Sequence, residues 1–535
     1  MKLLRRLHEL QETHGYLTED LLRQLAQAER VPLYRLQGLV SYYPHFRTTP
    51  PPCVEMSVCR DMACWLAEGV VCINRLREAL RDSTDIEVRE VSCLGRCERA
   101  PAAAINGTTV SLQDVAAVRE WAMKPETIPP QASQANHEWR CDPYRSPEER
   151  YGVVRELRNE PSAAVRLLAT VKEIKLRGMG GAGFPTGAKL EMVRNETRTP
   201  KYVICNADES EPGTFKDRVI LAELSHLIIE GMILAGLVTG AKRGILYIRH
   251  EYEPERRAFE QALRHANELQ LVGPEAPFDI EIFVSPGGYI LGEETALLEA
   301  LEDKRGEPRN KPPYPGTHGL FGQPTLINNV ETFAMVPGII RRGPAWWNNQ
   351  GKPGFTGLKF IALSGHVERP GAYEVPMGTT VRELIEMGGG VKSGRALKAF
   401  APGGASSNFL PASMVDVALD FAALAKAGSM LGSGAVIVIA EGTDMLGLAT
   451  NVVRFFRNES CGKCVPCRAG TQKAVELLEY SLADKTTRSS LTVLPELGET
   501  MALTSICGLG QVALNPILSV MKHWPEETLR SEPGA

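Results

Sequence analysis

Eight cysteines fall into two groups whose spacing suits metal–sulfur chemistry. The first group is Cys59, Cys64, Cys93 and Cys97, spaced C-x4-C-x28-C-x3-C. Two pairs on two loops can converge on one site, and four thiolates suit Zn2+ or an iron–sulfur cluster. Structural zinc sites favour C-x2-C pairs, so the wider spacing points to [2Fe–2S]. The second group is Cys461, Cys464 and Cys467 in ESCGKCVPC. C-x2-C-x2-C places three thiolates round one face of a cubane. The only cysteine left downstream to complete four ligands is Cys507, in SICGLG. Zinc stays open as the alternative for both groups. Cys53, Cys72, Cys141 and Cys205 read as ordinary thiols. Two clusters of different type imply one-electron transfer.

Glycine and acidic loops supply a second kind of chemistry. In LRGMGGAGFPTGAKL, Gly178, Gly180 and Gly183 match G-x-G-x-x-G, with Gly181 between. The preceding PSAAVRLLATVKEIKLR reads as helix rather than strand, so this is not a standard dinucleotide fingerprint. Residues without Cβ still let backbone N–H groups approach an anion. A helix starting near Thr186 adds its positive end, and Lys189 adds a charge. A flavin phosphate suits such a loop; a plain packing turn is the bland alternative. Next, YVICNADESEPGTF delivers Asn206, Asp208, Glu209 and Glu211 from a strand end onto a turn, where α/β sheets bind ligands. SPGGYILGEETALLEAL leads a glycine turn into a helix with Glu293 and Glu294 in its first turn. PTLINNVET offers Asn328 and Asn329 side by side.

The elements that must position these groups follow from the rest of the chain. It has 535 residues, enough for several domains. A hydrophobic share of 43% with 23% charged excludes a disordered or fibrous chain. The net charge of −4 gives no basic excess for nucleic acid. The most apolar run, Leu227 to Val238, contains Glu230 and falls well short of the roughly 20 residues a membrane span needs. MKLLRRLHELQETHGY reads as an amphipathic helix rather than a signal peptide. We expect a cytoplasmic, reducing setting. Thr18 with Asp20 marks the start of a second helix. Segments such as GILYIRH and IEIFVSP alternate with glycine loops, an α/β pattern. KPETIPPQASQANHEWRCDPYRSPEER reads as a linker.

Taken together, RGMGGAGFPTG, CNADESEPGTFKD, GEETAL, PTLINNVET, ESCGKCVPC and SICGLG resemble the NADH-binding flavoprotein subunit of respiratory complex I and its relatives in NAD-linked hydrogenases and formate dehydrogenases. The resemblance covers about 150–525. Residues 1–122 resemble the neighbouring [2Fe–2S] subunit of the same systems, fused here. The C-terminal run CRAGTQKAVELL…SICGLGQVALNPILSVMKHWPE and PGGASSNFLPASM look most like the β (diaphorase) subunit of NAD-dependent formate dehydrogenase, with a hydrogenase diaphorase or a complex I subunit as the alternative.

The resemblance implies an α/β multidomain fold. Its parts would be a helical region (1–50), a thioredoxin-like [2Fe–2S] domain (51–123), a linker (124–150), a Rossmann-like FMN and NAD(H) domain (151–350), a ubiquitin-like β-grasp domain (355–443) and a helical [4Fe–4S] bundle (444–535). FMN would be held by Gly178, Gly180, Gly181, Gly183 and Lys189, by Asn206, Asp208 and Glu209, by Tyr289, Gly292 and Glu293, and by Asn328, Asn329 and Thr332. NADH would use Phe184, Lys311 and Tyr314, with Glu211 and Glu294 positioning the reacting ring. Cys59, Cys64, Cys93 and Cys97 would ligate [2Fe–2S]; Cys461, Cys464, Cys467 and Cys507 would ligate [4Fe–4S]. Hydride would pass between nicotinamide and flavin. The partner would be a catalytic α subunit with molybdenum or tungsten and further iron–sulfur clusters, in a hetero-oligomer without membrane insertion. Met179 stands where complex I members usually carry Arg. Met192 and Tyr314 stand where many carry Phe against the adenine, so altered nucleotide affinity is expected.

Overall fold

The computed structural model describes residues 1–129 and 137–528. Three helices open the chain, at Lys2–His14, Glu19–Glu29 and Leu33–Val40. The second begins as its sequence predicts: the Thr18 hydroxyl accepts from the Leu21 N–H at 3.2 Å. A four-stranded sheet follows, built of β1 (Val54–Cys59), β2 (Ile86–Val91), β3 (Ala102–Ile105) and β4 (Thr108–Ser111), in the order β2-β1-β3-β4. β1 and β2 run parallel, so Cys59 ends beside Val91. That register explains how two cysteine pairs far apart in sequence leave the same end of one sheet.

The second sheet is wholly parallel: β5 (Tyr202–Ala207), β6 (Arg243–Arg249), β7 (Asp279–Ser285) and β8 (Thr325–Asn329), in the order β7-β6-β5-β8. β5 is buried on both faces, as a parallel sheet covered by helices requires. One covering helix, Ser225–Thr239, carries the apolar run Leu227 to Val238 and buries every residue but Leu237. Among the described residues no single helix is long and apolar enough to cross a membrane. From β5 the chain moves outward through β6 and β7, then returns to the other side of β5 with β8. The strand order therefore reverses between β5 and β8, which puts a crevice at their carboxyl ends.

The third sheet holds β9 (Leu358–Gly365), β10 (Gly371–Pro376), β11 (Leu397–Ala401), β12 (Leu410–Pro411) and β13 (Ala435–Ala440), in the order β10-β9-β13-β11-β12. β13 lies parallel to β9, with antiparallel strands outside. The helix Val381–Met387 is closed by a Thr380–Glu383 capping box. This is the β-grasp arrangement. Helices at Met445–Asn458, Val465–Ala483, Leu494–Thr504 and Asn515–His523 form the C-terminal bundle. Leu4 and Leu7 of the first helix, Ile204 and Tyr247 of the parallel sheet, Ile437 of β13 and Leu448 of the bundle belong to one continuous apolar core.

Part of the segment read as a linker, residues 130–136, lies outside the described residues, as does 529–535 at the end of the bundle. Residues 137–150 are strapped down. The Trp139 indole N–H donates to Glu223 at 2.7 Å, the Cys141 N–H donates to Glu374 at 2.8 Å, and the Tyr144 hydroxyl donates to Glu230. Their polar composition reads as a linker because the three carboxylates that satisfy them are remote in sequence.

Candidate functional site

The crevice between β5 and β8 collects the predicted flavin residues. Asn206 pairs with Asn329 and Cys205 with Asn328 in parallel register. The Asn206 amide donates to the Gly292 carbonyl at 2.9 Å and its oxygen accepts from the Asp208 N–H at 3.2 Å. Gly292 and Asp208 are thereby drawn to the same rim. The Asn329 oxygen caps the following helix by accepting from the Glu331 N–H at 3.0 Å. Burial pushes the Asp208 carboxyl up to about 7, and the Ser285 hydroxyl donates to it at 3.1 Å.

The glycine loop crosses the mouth of this crevice. It folds back on itself through the Gly178 N–H, which donates to the Phe184 carbonyl at 2.8 Å. Gly181 has φ of 124°, which an L side chain rarely adopts. A Cβ on Gly180 would come within 3.0 Å of Asn329 Cβ, so this position holds the loop against the β8 end. The Met179 N–H donates to the Thr332 hydroxyl at 2.9 Å, a second tie to the same helix. Met179 itself is buried. The helix Thr186–Asn195 starts at the loop's end, and the Thr186 hydroxyl is buried without a partner. Free loop N–H groups, a helix N-terminus and an orphaned hydroxyl fit a phosphate group.

An exposed rim carries the predicted nucleotide residues. Phe184 and Tyr314 are 45% and 53% exposed. Lys189 Nζ lies 5.9 Å from the centre of the Phe184 ring. Glu294 accepts from Lys189 at 3.3 Å and from Lys311 at 3.4 Å. Burial alone would raise the Glu294 carboxyl, but the two lysines outweigh it and hold it below the ordinary value. Glu293 is the N-cap of its helix rather than a first-turn residue: it accepts from the Thr295 and Ala296 N–H groups and from Lys311. Met192 packs against Gly316, two residues from Tyr314.

Two predicted carboxylates are already committed. Glu209 is buried, and its oxygens accept from the Asp217 and Arg218 N–H groups and the Tyr252 hydroxyl. It braces the loop rather than facing a guest. Glu211 accepts from the Tyr289 hydroxyl and from the Ser406 N–H at 2.7 Å, so a β-grasp loop closes over it. Burial raises the Glu211 carboxyl.

Both thiol groups converge. Cys59, Cys64, Cys93 and Cys97 are all buried, with the Cys93 and Cys97 sulfurs 3.4 Å apart. The Gly95 and Ala102 N–H groups donate to the Cys93 and Cys64 sulfurs. Cys461, Cys464, Cys467 and Cys507 line one cavity with Ile290, Pro308, Ile506 and Leu509, about 270 Å3 of space between atoms, part of it open to solvent. Cys464 and Cys507 cap helices, and Cys467 follows three residues into the first of these. Burial pushes the Cys467 and Cys507 thiols up to about 11 and about 12, and a bound cation would favour their thiolate forms. Among the described residues no three side chains surround a single point as one bare ion requires. The space among Cys461, Cys464, Cys467 and Cys507 suits a multi-atom cluster.

Sequence reasoning missed the residues that fix these sites to one another. Arg249, at the end of β6, donates to the Cys93 carbonyl at 2.8 Å and also to the Glu209 carbonyl. Arg218 donates to the Gly95 carbonyl at 3.0 Å and pairs with Glu98 at 2.6 Å. Lys216, Asp217, Glu331 and Lys359 form a buried charge network between the parallel sheet and β9. A charge at the end of an otherwise apolar strand, such as Arg249 in GILYIRH, is the one sequence signal that could have found them.

Four family models match. They are the Nuo51 FMN-binding domain at 171–338, the NADH-ubiquinone oxidoreductase-F iron–sulfur binding region at 447–531, the thioredoxin-like [2Fe-2S] ferredoxin at 1–123 and the SLBB domain at 360–407. The F 2 subunit of NADH-quinone oxidoreductase from Rhizobium meliloti (strain 1021) is 45% identical over 68% of this chain and 87% of its own. NADP-reducing hydrogenase subunit HndC of Solidesulfovibrio fructosivorans is 41% identical over 70% of this chain and 77% of its own. Among solved structures, a chain of an NAD+-reducing [NiFe]-hydrogenase in the air-oxidized state superposes with a TM-score of 0.87 at 32% identity. The match covers 98% of this chain and 92% of that one.

Proposed function

This chain belongs to the family of FMN-binding flavoprotein subunits of NADH-quinone oxidoreductase, and from that premise we propose that it is the diaphorase subunit of an NAD-dependent formate dehydrogenase. It is an NAD-dependent flavin and iron–sulfur oxidoreductase subunit. The observation that carries the reading is the crevice at the β5–β8 reversal, with the loops of both four-thiol sets tied to the strand ends beside it.

The glycine-loop N–H groups and the start of the helix at Thr186 would receive the phosphate of FMN. Asn206, Asn329 and Asp208 would bond its ribityl chain and ring edge. Phe184 and Tyr314 would stack on the bases of NAD(H). Glu294, held ionised between Lys189 and Lys311, would accept from ribose hydroxyls, which disfavours a 2′-phosphate and selects NAD over NADP. Bound FMN supplies hydride exchange with the nicotinamide and division of the pair into single electrons. The Ser406 loop and Tyr289 close over Glu211 and keep water from that side. The chain's residues orient and screen; none is required as a general acid or base.

Formate would be oxidised at molybdenum or tungsten in a partner subunit of a cytoplasmic hetero-oligomer. Val465 and Leu503, 61% and 77% exposed close to Cys464 and Cys507, offer that partner an apolar contact. The C-terminal run through SICGLGQVALNPILSVMKHWPE supports formate as the donor. Hydrogen is the second reading, favoured by the match of a hydrogenase chain along 98% of this one. Metal analysis of the native complex separates them: molybdenum or tungsten is expected beside iron, and nickel would overturn formate in favour of hydrogen.

A further inference from the structure

Glu459 stands where three sites meet. It directly precedes the Ser460–Cys461 loop of the C-terminal thiol set. One of its carboxylate oxygens accepts from the Ser92 hydroxyl, and Ser92 directly precedes Cys93. The other accepts from the Tyr289 N–H at 2.8 Å, on the loop that runs through Gly292 to Glu293. Ser460 in turn contacts the Cys467 sulfur at 3.3 Å and accepts from the Gly462 N–H. A single side chain thus joins the N-terminal cysteine loop to the nucleotide loop, from the root of the third site.

We propose that Glu459 is a positioning residue that locks the Cys93 loop to the Tyr289 loop and so fixes the gap across which an electron passes between the flavin site and the [2Fe–2S] centre. The proposal rests on the diaphorase reading. Three physical points support it. A carboxylate has two oxygens, so one residue can hold two loops at once. Hydrogen bonds to an ionised acceptor are short and strong, so both loops are held at defined distance. The neighbouring tie, Arg249 to the Cys93 and Glu209 carbonyls, fixes the same cysteine loop to the ends of β6 and β5. The Cys93 loop is therefore clamped twice, and Glu459 is the clamp that also reaches the C-terminal thiols. The step balances simply. NADH gives up a hydride and becomes NAD+. Of the two electrons in that hydride, one would reduce the oxidised [2Fe–2S] centre and the other would leave on the [4Fe–4S] side, while its proton is released to solvent.

The test uses the full chain with both clusters and FMN in place, as wild type, Glu459→Gln and Ser92→Ala. Rapid-freeze EPR follows the [2Fe–2S] signal after mixing with NADH or with dithionite. Hydrogen exchange is measured separately across residues 89–97. Both variants should keep the dithionite signal. Their NADH-driven reduction of [2Fe–2S] should slow on the order of tenfold or more, since small displacements carry large rate penalties. Exchange in 89–97 should rise in both. Ser92→Ala leaves the Cys461 loop untouched and carries the test if Glu459→Gln loses iron there. Unchanged NADH-driven reduction with unchanged exchange in Ser92→Ala would overturn the proposal. If wild-type protein with FMN bound reduces neither flavin nor cluster with NADH, the functional reading itself fails instead.

Discussion

Asn206 and Asn329 lie directly opposite one another at the carboxyl ends of the adjacent parallel strands β5 and β8. The strand order reverses between them, so their amides flank the crevice rather than pack inside the sheet. Replacing Asn206 with Ala removes its bond to the Gly292 carbonyl and one amide from the crevice wall. FMN retention should fall about tenfold, roughly 1.4 kcal/mol. Flavin fluorescence in the filtrate after dilution checks this.

Lys311 steadies Glu294 from the solvent side. Lys311→Ala should raise the NADH KM roughly tenfold and change kcat by less than about threefold, because the contact serves ground state and transition state alike. Steady-state NADH-to-dye kinetics report both. An equal fall in kcat would place Lys311 close to the reacting atoms instead of at the rim.

Cys93→Ser should abolish the N-terminal [2Fe–2S] EPR signal while most NADH-to-dye activity survives. The dye takes electrons from the flavin, and the hydrogen bonds that tie the Cys93 loop to the crevice run through the Cys93 carbonyl and its neighbour Ser92, not through the thiol. Iron analysis with EPR checks the first part. Loss of flavin reduction by NADH would contradict the division of labour.

Glu331 is buried between two lysines. It pairs with Lys216 at 2.9 Å and with Lys359, and accepts from the Phe360 N–H at 2.9 Å. Burial pushes Lys359 down to about 8, while Lys216 is held above the ordinary value by Asp217 and Glu331 in spite of its burial. Glu331→Gln leaves both ammonium groups without this partner. The cost should be about 3–5 kcal/mol, read as a lower denaturant midpoint. Adding Lys359→Met should recover part of it.

His8, His45 and His250 pack ring to ring at the seam between the first helix and the parallel-sheet domain, with centroids 4.8 and 4.6 Å apart. Burial, with the neighbouring His250 adding to it, pushes His8 down to about 4 from 6.5. A lowered histidine is neutral when docked, so its contribution is complete above pH 6.5 and is lost as pH falls towards 4. Hydrogen exchange of residues 2–14 should rise across that window. Global stability is the wrong readout. Asp208, Glu209 and Glu230 are raised to about 7 by burial, and their contribution is lost in the opposite direction, as pH rises towards 7.

The cysteine spacing foretells two converging sets because backbone register does the converging: parallel β1 and β2 place Cys59 beside Val91. The glycine loop and paired asparagines are legible for a similar reason, since each is local in sequence. Glu209 and Glu211 are legible as an acidic turn but not in their use. The donors they accept from sit on the helix after the turn, on Tyr252, and in the remote β-grasp loop at Ser406. Residues 137–150 likewise read as a linker because Glu223, Glu230 and Glu374 lie far along the chain. Glu459 is in plain view beside Cys461, yet its partners Ser92 and Tyr289 are set by tertiary folding alone.

An anaerobic titration of the FMN-loaded full chain with NADH tests the central claim most directly. Absorbance follows the flavin, and EPR follows the clusters. We expect NADH to bleach the flavin and a [2Fe–2S] and a [4Fe–4S] signal to appear in the same titration. A flavin that stays oxidised in excess NADH, or thiol sets that hold only zinc, would contradict that claim.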